Sequence, residues 1–60
     1  MTYQLNQIVK GIEVGTFVIV GFRTVDGYEG VQVKTVSPND HSRVGRGEMF
    51  LPFSAIRPLD

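Results

Sequence analysis

The sequence predicts an all-β domain, built as a small five-stranded barrel with a single 3₁₀ turn before the last strand. Three observations predict this fold class. Of the 60 residues, 17 are Val, Ile or Thr, which favour pleated strands over helices. An Asp-Gly pair lies between two apolar runs and marks a tight hairpin. Near the end of the sequence, Pro52 and Pro58 bracket a segment with room for one turn.

We expect the first strand within residues 5–12, which are apolar in part but show no clean alternation. The second and third strands are expected at 17–23 and 31–36, on either side of Asp26 and Gly27. Both central positions of a two-residue hairpin turn need positive φ, which is why Asp-Gly is favoured there. The sequence therefore predicts a β-hairpin around this turn.

A turn at Asp26-Gly27 also predicts how the two hairpin strands pair. It places Phe22 opposite Val31 and Val20 opposite Val33, so that one face of the hairpin is almost wholly apolar. A slip of one residue would mix polar and apolar side chains on both faces. We therefore expect this face to form the core, with the members Val18, Val20, Phe22, Val31, Val33 and Ile56.

The opposite face of the hairpin still carries apolar side chains. In the same pairing it presents Phe17, Ile19 and Val36, with Lys34 opposite Ile19. A sheet of this size has one core, and exposed apolar patches mark interaction sites, so we expect these four residues to form a protein interface in a homo-oligomer. The alternative is that barrel curvature, the N-terminal residues or a long loop covers this face.

Residues 37–47 are rich in turn-forming residues, and the sequence predicts a loop here. Arg43 and Arg46 are candidates for binding a polyanion, because guanidinium groups bind oxyanions through two hydrogen bonds. The alternative is a solvated hairpin loop without a ligand. Six basic and six acidic residues give a net charge of zero, which disfavours binding to a phosphate backbone.

Asp40, His41 and Ser42 contain the side-chain types of a hydrolase triad, but a triad works by convergence in space and not by adjacency in sequence. His41 is the sole histidine and there is no cysteine, so a zinc site lacks further nitrogen or sulfur ligands. We therefore expect no catalytic site within one chain, no metal and no cofactor.

The segment that follows the predicted loop is a short apolar strand ending at Pro52, one turn at Phe53–Ala55 and a stub ended by Pro58. It resembles the closing strand, 3₁₀ turn and final strand of SH3-like barrels. That resemblance implies a five-stranded SH3-like barrel, a fold that serves many unrelated functions.

The run from Met49 to Leu59 is also similar to the end of plasmid-encoded type II dihydrofolate reductases. These enzymes are SH3-like barrels that act as tetramers through a central pore. The family carries Val-Gln-Ile-Tyr before its proline, where this chain has Glu48-Met49-Phe50-Leu51. The glutamine and tyrosine are missing, so the reductase activity does not carry over.

The wider pattern, Leu5 to Gly21 followed by the closing segment, is similar to Tudor-like and KOW-type barrels of transcription and repair proteins. The roles of those barrels lie in contact with proteins and nucleic acids. The resemblance therefore implies an interaction module.

The sequence thus predicts a single domain over residues 1–60 that is a non-enzymatic interaction module, self-associating or docking as an accessory subunit of a larger assembly. One alternative is a nucleic-acid-binding barrel that uses the loop 37–47. A further alternative is a small oligomeric enzyme with a pore site shared between subunits. No segment approaches the ~18 apolar residues of a membrane span, so we expect a cytoplasmic protein without a membrane partner.

Overall fold

The structure is a computed structural model that describes residues 2–59. Its elements are β1 (Ile8–Gly11), β2 (Thr16–Val25), β3 (Tyr28–Ser37), β4 (Asp40–Pro52), a 3₁₀ turn (Phe53–Ala55) and β5 (Ile56–Pro58). The strands form one antiparallel sheet in the order β4-β3-β2-β1-β5, which is compatible with a small barrel. The predicted all-β fold, with five strands and a 3₁₀ turn before the last, is confirmed. Across residues 2–59, no helix has the length and apolar character needed to cross a membrane.

The hairpin between β2 and β3 turns at the predicted residues. Asp26 has φ 53° and Gly27 has φ 85°, the positive values that a two-residue turn of this kind requires. Val25 pairs with Tyr28 and, further along, Phe22 lies opposite Val31. The predicted turn and the pairing of Phe22 with Val31 are therefore confirmed.

Beyond Gly21 the pairing of this hairpin departs from the prediction. Gly21 lies opposite Gln32, but the next residue of β3, Val33, lies opposite Ile19. Val20 is the extra residue of a β-bulge, in which two residues of one strand face one residue of the other. The predicted pair of Val20 with Val33 is therefore wrong, and every β2 residue before the bulge changes its partner.

Residues Asn6 and Gln7, before β1, form hydrogen bonds with β2 next to the bulge. The backbone N–H of Ile19 donates to the carbonyl oxygen of Gln7 at 3.0 Å, and the N–H of Asn6 donates to the carbonyl oxygen of Ile19 at 2.8 Å. Asn6 itself has φ 69°, a left-handed conformation that asparagine adopts more readily than most residues. These two hydrogen bonds fix the backbone of Ile19 at the place where the hairpin register shifts.

The bulge decides which side chains form the core. Ile19 is fully buried, whereas Val20 is 39% exposed and Phe22 is 52% exposed. The complete set of buried apolar residues among residues 2–59 is Val9, Phe17, Ile19, Val31, Val33, Val36 and Ile56. Of the predicted core, Val31, Val33 and Ile56 are confirmed, Val20 and Phe22 are wrong, and Val18 is only half-buried.

The same shift overturns the expected exposed face. Phe17 and Ile19 belong to the core cluster, and Val36 is also buried although it lies outside that cluster. The burial of Phe17 and Ile19 comes from the chain itself, because the bulge places Ile19 opposite Val33 and β1 places Val9 opposite Phe17. Of the four residues assigned to an interface, only Lys34 keeps part of its surface exposed.

The expected loop over residues 37–47 is also wrong. The connection is only Pro38 and Asn39, and β4 starts at Asp40, which pairs with Ser37. The remaining residues are taken up in the strand by irregular pairing, since the register moves from Val36 opposite Val44 to Lys34 opposite Glu48. Glycine and turn-forming residues suit such bulges as well as they suit loops.

The bulge at Val20 predicts unequal costs for two neighbouring substitutions. We expect Ile19→Thr to lower the free energy of unfolding by about 2 kcal/mol or more, because it removes a buried methyl group and buries a hydroxyl. Val20→Thr should change it by less than about 0.5 kcal/mol, since the side chain is partly exposed and threonine keeps the β-branched shape. Urea unfolding of both variants measures the difference, and equal costs would contradict the bulge.

Candidate interaction surfaces

The surface of this small protein is rich in large apolar side chains. Among residues 2–59, ten of them are more than a third exposed, against seven buried apolar residues. The exposed set is Leu5, Ile12, Val14, Val20, Phe22, Tyr28, Val44, Met49, Phe53 and Leu59. Single exposed apolar residues are normal, but contiguous ones mark interaction sites. The arrangement of this set is therefore where a function should be sought.

Three rings come together on one side of the sheet, and we call Tyr3, Phe22 and Phe53 the aromatic surface. The rings of Tyr3 and Phe53 stack with centroids 5.6 Å apart and planes at 7°. Phe22 completes a depression of about 500 Å³ that is lined by these three rings and Thr2. Phe22 and Phe53 keep 52% and 37% of their surface exposed, so the rings are held in place but not covered.

Both strands of the hairpin and the 3₁₀ turn position this surface. Phe22 lies opposite Val31 near the Asp-Gly turn, and Phe53 opens the 3₁₀ turn directly after Pro52 ends β4. A second depression of about 310 Å³ shares Phe22 and Phe53 with the first, and its rim carries Arg23 and Glu29. The aromatic surface is thus flanked by one exposed cation and one exposed anion.

A further depression of about 420 Å³ lies beside the connection from β1 to β2. Its lining includes the exposed side chains of Ile12 and Val14 and the partly buried Leu51 and Ala55. The backbone here is fixed, because the N–H of Ile12 donates to the carbonyl oxygen of Ala55 at 3.0 Å. Apolar residues are therefore exposed at two separate places on the molecule.

Three of the four residues assigned to an interface from the sequence are buried within the chain. Phe17, Ile19 and Val36 are buried, and Lys34 lies between Val18 and Glu48 in the sheet. The aromatic surface was missed because Phe22 was expected in the core. The local signal for the changed pairing of Phe17 and Ile19 is Gly21, since a glycine inside an apolar strand often marks a bulge.

The two arginines of β4 lie on an exposed strand. Arg43 places its Nε 3.7 Å from Oδ2 of Asp40, and both side chains are well exposed. Arg46 follows between Gly45 and Gly47 and is exposed as well. An exposed ion pair of this kind contributes little to stability. Of the two arginines proposed to bind a polyanion, Arg43 is thus already paired with a carboxylate of its own strand.

Asp40, His41 and Ser42 make a local hydrogen-bond arrangement that differs from a catalytic relay. The Ser42 hydroxyl donates directly to Oδ1 of Asp40 at 2.6 Å, and the Ser42 backbone N–H donates to the same oxygen at 3.1 Å. A triad would instead place the imidazole between the hydroxyl and the carboxylate. Within residues 2–59, no three His, Cys, Asp or Glu side chains cluster so that they could hold a metal ion.

These hydrogen bonds have an electrostatic consequence for Asp40. Hydrogen bonds from the Ser42 hydroxyl and then from its backbone N–H favour the ionised carboxylate, and they hold the pKa of Asp40 below its ordinary value of 3.8. A lowered pKa in the folded state stabilises the fold above the unfolded pKa, and this contribution is lost as the pH falls through the folded value. The turn before β4 is therefore expected to loosen under acid conditions below pH 3.8.

We expect a carboxyl NMR titration to show Asp40 ionising below pH 3.8, and Ser42→Ala to move its pKa back toward that ordinary value. The reason is that this variant removes the hydroxyl donor and keeps the backbone donor. Ser54→Ala removes a hydroxyl elsewhere and serves as the control, with no expected effect on Asp40. An Asp40 pKa unaffected by Ser42→Ala would mean that the hydroxyl does not hold the carboxylate.

Comparison with known proteins gives no relative for this chain. No protein family model, no curated protein and no solved structure matches it. A function has to be inferred from the chain's own surface.

Proposed function

We propose that this chain is a non-enzymatic interaction module of the SH3-like barrel type that self-associates through its aromatic surface. The observation that carries the proposal is the excess of exposed over buried large apolar side chains, ten against seven among residues 2–59. A domain of this size buries only about 60% of the surface of its unfolded chain, so its core is small. Contact between copies would cover apolar surface that the fold leaves in water.

The energetic gain from such a contact is large relative to the stability of a small domain. Fully burying an aromatic or large aliphatic side chain is worth about 1.5–3 kcal/mol, against a total stability of about 5–15 kcal/mol for a typical domain. The chain has no cysteine, so no disulfide is there to stabilise it. Association then contributes to keeping the monomer fold intact.

A second copy of the chain is the occupant that the charges favour. In a two-fold contact the same patch meets itself, so it has to be complementary to itself. The aromatic surface meets this condition because Arg23 and Glu29 flank it with opposite charges. A net charge of zero removes the long-range repulsion that would otherwise oppose association of identical chains.

A nucleic-acid partner has less support at this surface. Glu29 on its rim would repel a phosphate backbone, and Arg43 on β4 lies beside Asp40. Docking onto a different protein would use the same aromatic side chains. The solution mass of the isolated chain distinguishes the two, because only self-association raises that mass above one copy.

We expect the solution mass of the protein to rise with concentration in the micromolar range, and its thermal midpoint to rise in parallel, because association stabilises the folded state. Phe22→Ser should lower the mass without unfolding the monomer, since this ring is half exposed. Sedimentation velocity at two concentrations and thermal unfolding are the measurements.

The matched control is Tyr28→Ser, which removes an exposed ring outside the aromatic surface and should leave the mass unchanged. A single-chain mass at all concentrations would reject self-association. If the protein then shifted a nucleic acid in a salt-sensitive way, the nucleic-acid alternative would replace it. Equal effects of Phe22→Ser and Tyr28→Ser would reject the aromatic surface as the contact.

A further inference from the structure

Strands β5, β1 and β2 bring three polar side chains into one row across the sheet. Lys10 of β1 lies opposite Arg57 of β5 on one side and opposite Thr16 of β2 on the other. The pairing of these three strands has no register shift. Side chains at opposite positions of an antiparallel pair lie on the same face, with Cβ atoms about 4.5–5.5 Å apart. We call Arg57, Lys10 and Thr16 the basic row.

The basic row lies on the face of these strands that points away from the core. Successive residues of a strand point to opposite faces. The strand neighbours of the three members are buried in the core cluster; they are Val9, Phe17 and Ile56. Both cations of the row are exposed, and the threonine is partly buried. A ligand in solution can therefore reach this row.

The two cations of the row lie directly opposite each other, and like charges in this position destabilise an antiparallel pair. Among residues 2–59 the single ion pair joins Arg43 and Asp40, so no carboxylate oxygen of this range lies within 4.0 Å of either charged group of the row. Glu13 is the acidic residue nearest to Lys10 in sequence, and it lies on the connection from β1 to β2 without pairing to the row. The described chain thus brings two positive charges together without a carboxylate to balance them.

The backbone beneath the basic row is held in place. Strand β1 is paired on both sides, with β2 and with β5. Directly after Lys10, the N–H of Gly11 donates to the carbonyl oxygen of Gly15 at 3.0 Å. The next N–H, that of Ile12, donates to the carbonyl oxygen of Ala55, also at 3.0 Å. Lys10 is therefore presented from a fixed backbone, and groups positioned before a ligand arrives bind it with less loss of entropy.

We propose that the basic row binds a single phosphate group, free or as a monoester, which as a monoester carries a charge of about −1.5 to −2 at pH 7. Arg57 donates two parallel hydrogen bonds to two phosphate oxygens, and Lys10 donates to a third. The hydroxyl of Thr16 is a further donor beside them. The bound anion also offsets the repulsion between the two cations, so that binding stabilises the sheet.

The arrangement favours one compact dianion over other oxyanions. A carboxylate has two oxygens and one charge, whereas the row offers donors from three side chains and two positive charges. A nucleic-acid backbone spreads its charges along a strand and is bound by several basic groups in a stripe. Here two cations meet at one position in a chain whose net charge is zero. A phosphate group matches both the donors and the charge.

The test is a titration of the full chain with inorganic phosphate at constant ionic strength, followed by backbone amide NMR. Saturable shifts are expected at Lys10, Thr16 and Arg57. Lys10→Gln and Arg57→Gln should each weaken binding by about tenfold or more, because each removes charge-assisted hydrogen bonds. Arg46→Gln makes the same charge change on β4 and should leave the affinity unchanged. Absence of saturable shifts in wild type, or equal weakening by Arg46→Gln, would overturn the site.

Thermal unfolding separates a loss of binding from a loss of the fold. In chloride, Lys10→Gln should be at least as stable as wild type, because it removes the repulsion from Arg57. In phosphate at the same ionic strength, the thermal midpoint of wild type should rise and that of Lys10→Gln should rise less. Equal rises in the two proteins would overturn the site, since a general salt effect acts on both.

Three further ligands decide the chemical class. Phenyl phosphate that binds more tightly than inorganic phosphate supports a monoester, and the reverse order supports the free ion. Acetate should bind at least about tenfold more weakly than phosphate, and equal binding would overturn the phosphate class in favour of a carboxylate. A single-stranded oligonucleotide that binds more tightly than either phosphate, and loses this affinity in Lys10→Gln, would assign the row to nucleic acid instead. The row shares no residue with the aromatic surface, so each result is independent of self-association.

Discussion

The β-bulge at Val20 is the constraint on which the rest of the structure depends. It shifts the pairing of β2 against β3, so that Ile19 and not Val20 lies opposite Val33. Hydrogen bonds from Ile19 to Gln7 and from Asn6 to Ile19 secure the shift, because they tie the N-terminal segment to the same point of β2. Before the bulge, Phe17 and Ile19 are buried, whereas Phe22 after it is half exposed although it lies opposite the buried Val31.

This one shift determines which residues of β2 before Gly21 are buried. Before the bulge, β2 contributes Phe17 and Ile19 to the core cluster. After it, Phe22 lies beside Tyr3 and Phe53; Phe22 and Phe53 are exposed, and Tyr3 is partly buried against the core. The chain therefore combines a small core with much exposed apolar surface, and association between copies is a direct way to cover it.

The parts of the fold that the sequence predicts are those whose chemistry is local. Asp26 and Gly27 are adjacent, so the sequence predicts their turn and the first strand pairs beside it. Pro52 ends β4 because proline has no backbone N–H to donate to the sheet. The bulge is accompanied by hydrogen bonds from Asn6 to Ile19 and from Ile19 to Gln7, which join residues distant in sequence, and Gly21 is its one local sign. The aromatic surface was not predictable from the pairing, because Phe22 is half exposed even though it lies opposite Val31 as predicted.

Ile19 lies opposite Val33, and the β-bulge at Val20 reverses the side to which the preceding residues of β2 point. Backbone nuclear Overhauser contacts across the hairpin test it most directly, because opposite residues of an antiparallel pair approach within about 4.5–5.5 Å. The bulged register predicts contacts between Ile19 and Val33 and between Gly21 and Gln32, with Val20 lacking an opposite partner. Contacts between Val20 and Val33, continuing to Val18 and Thr35, would contradict it.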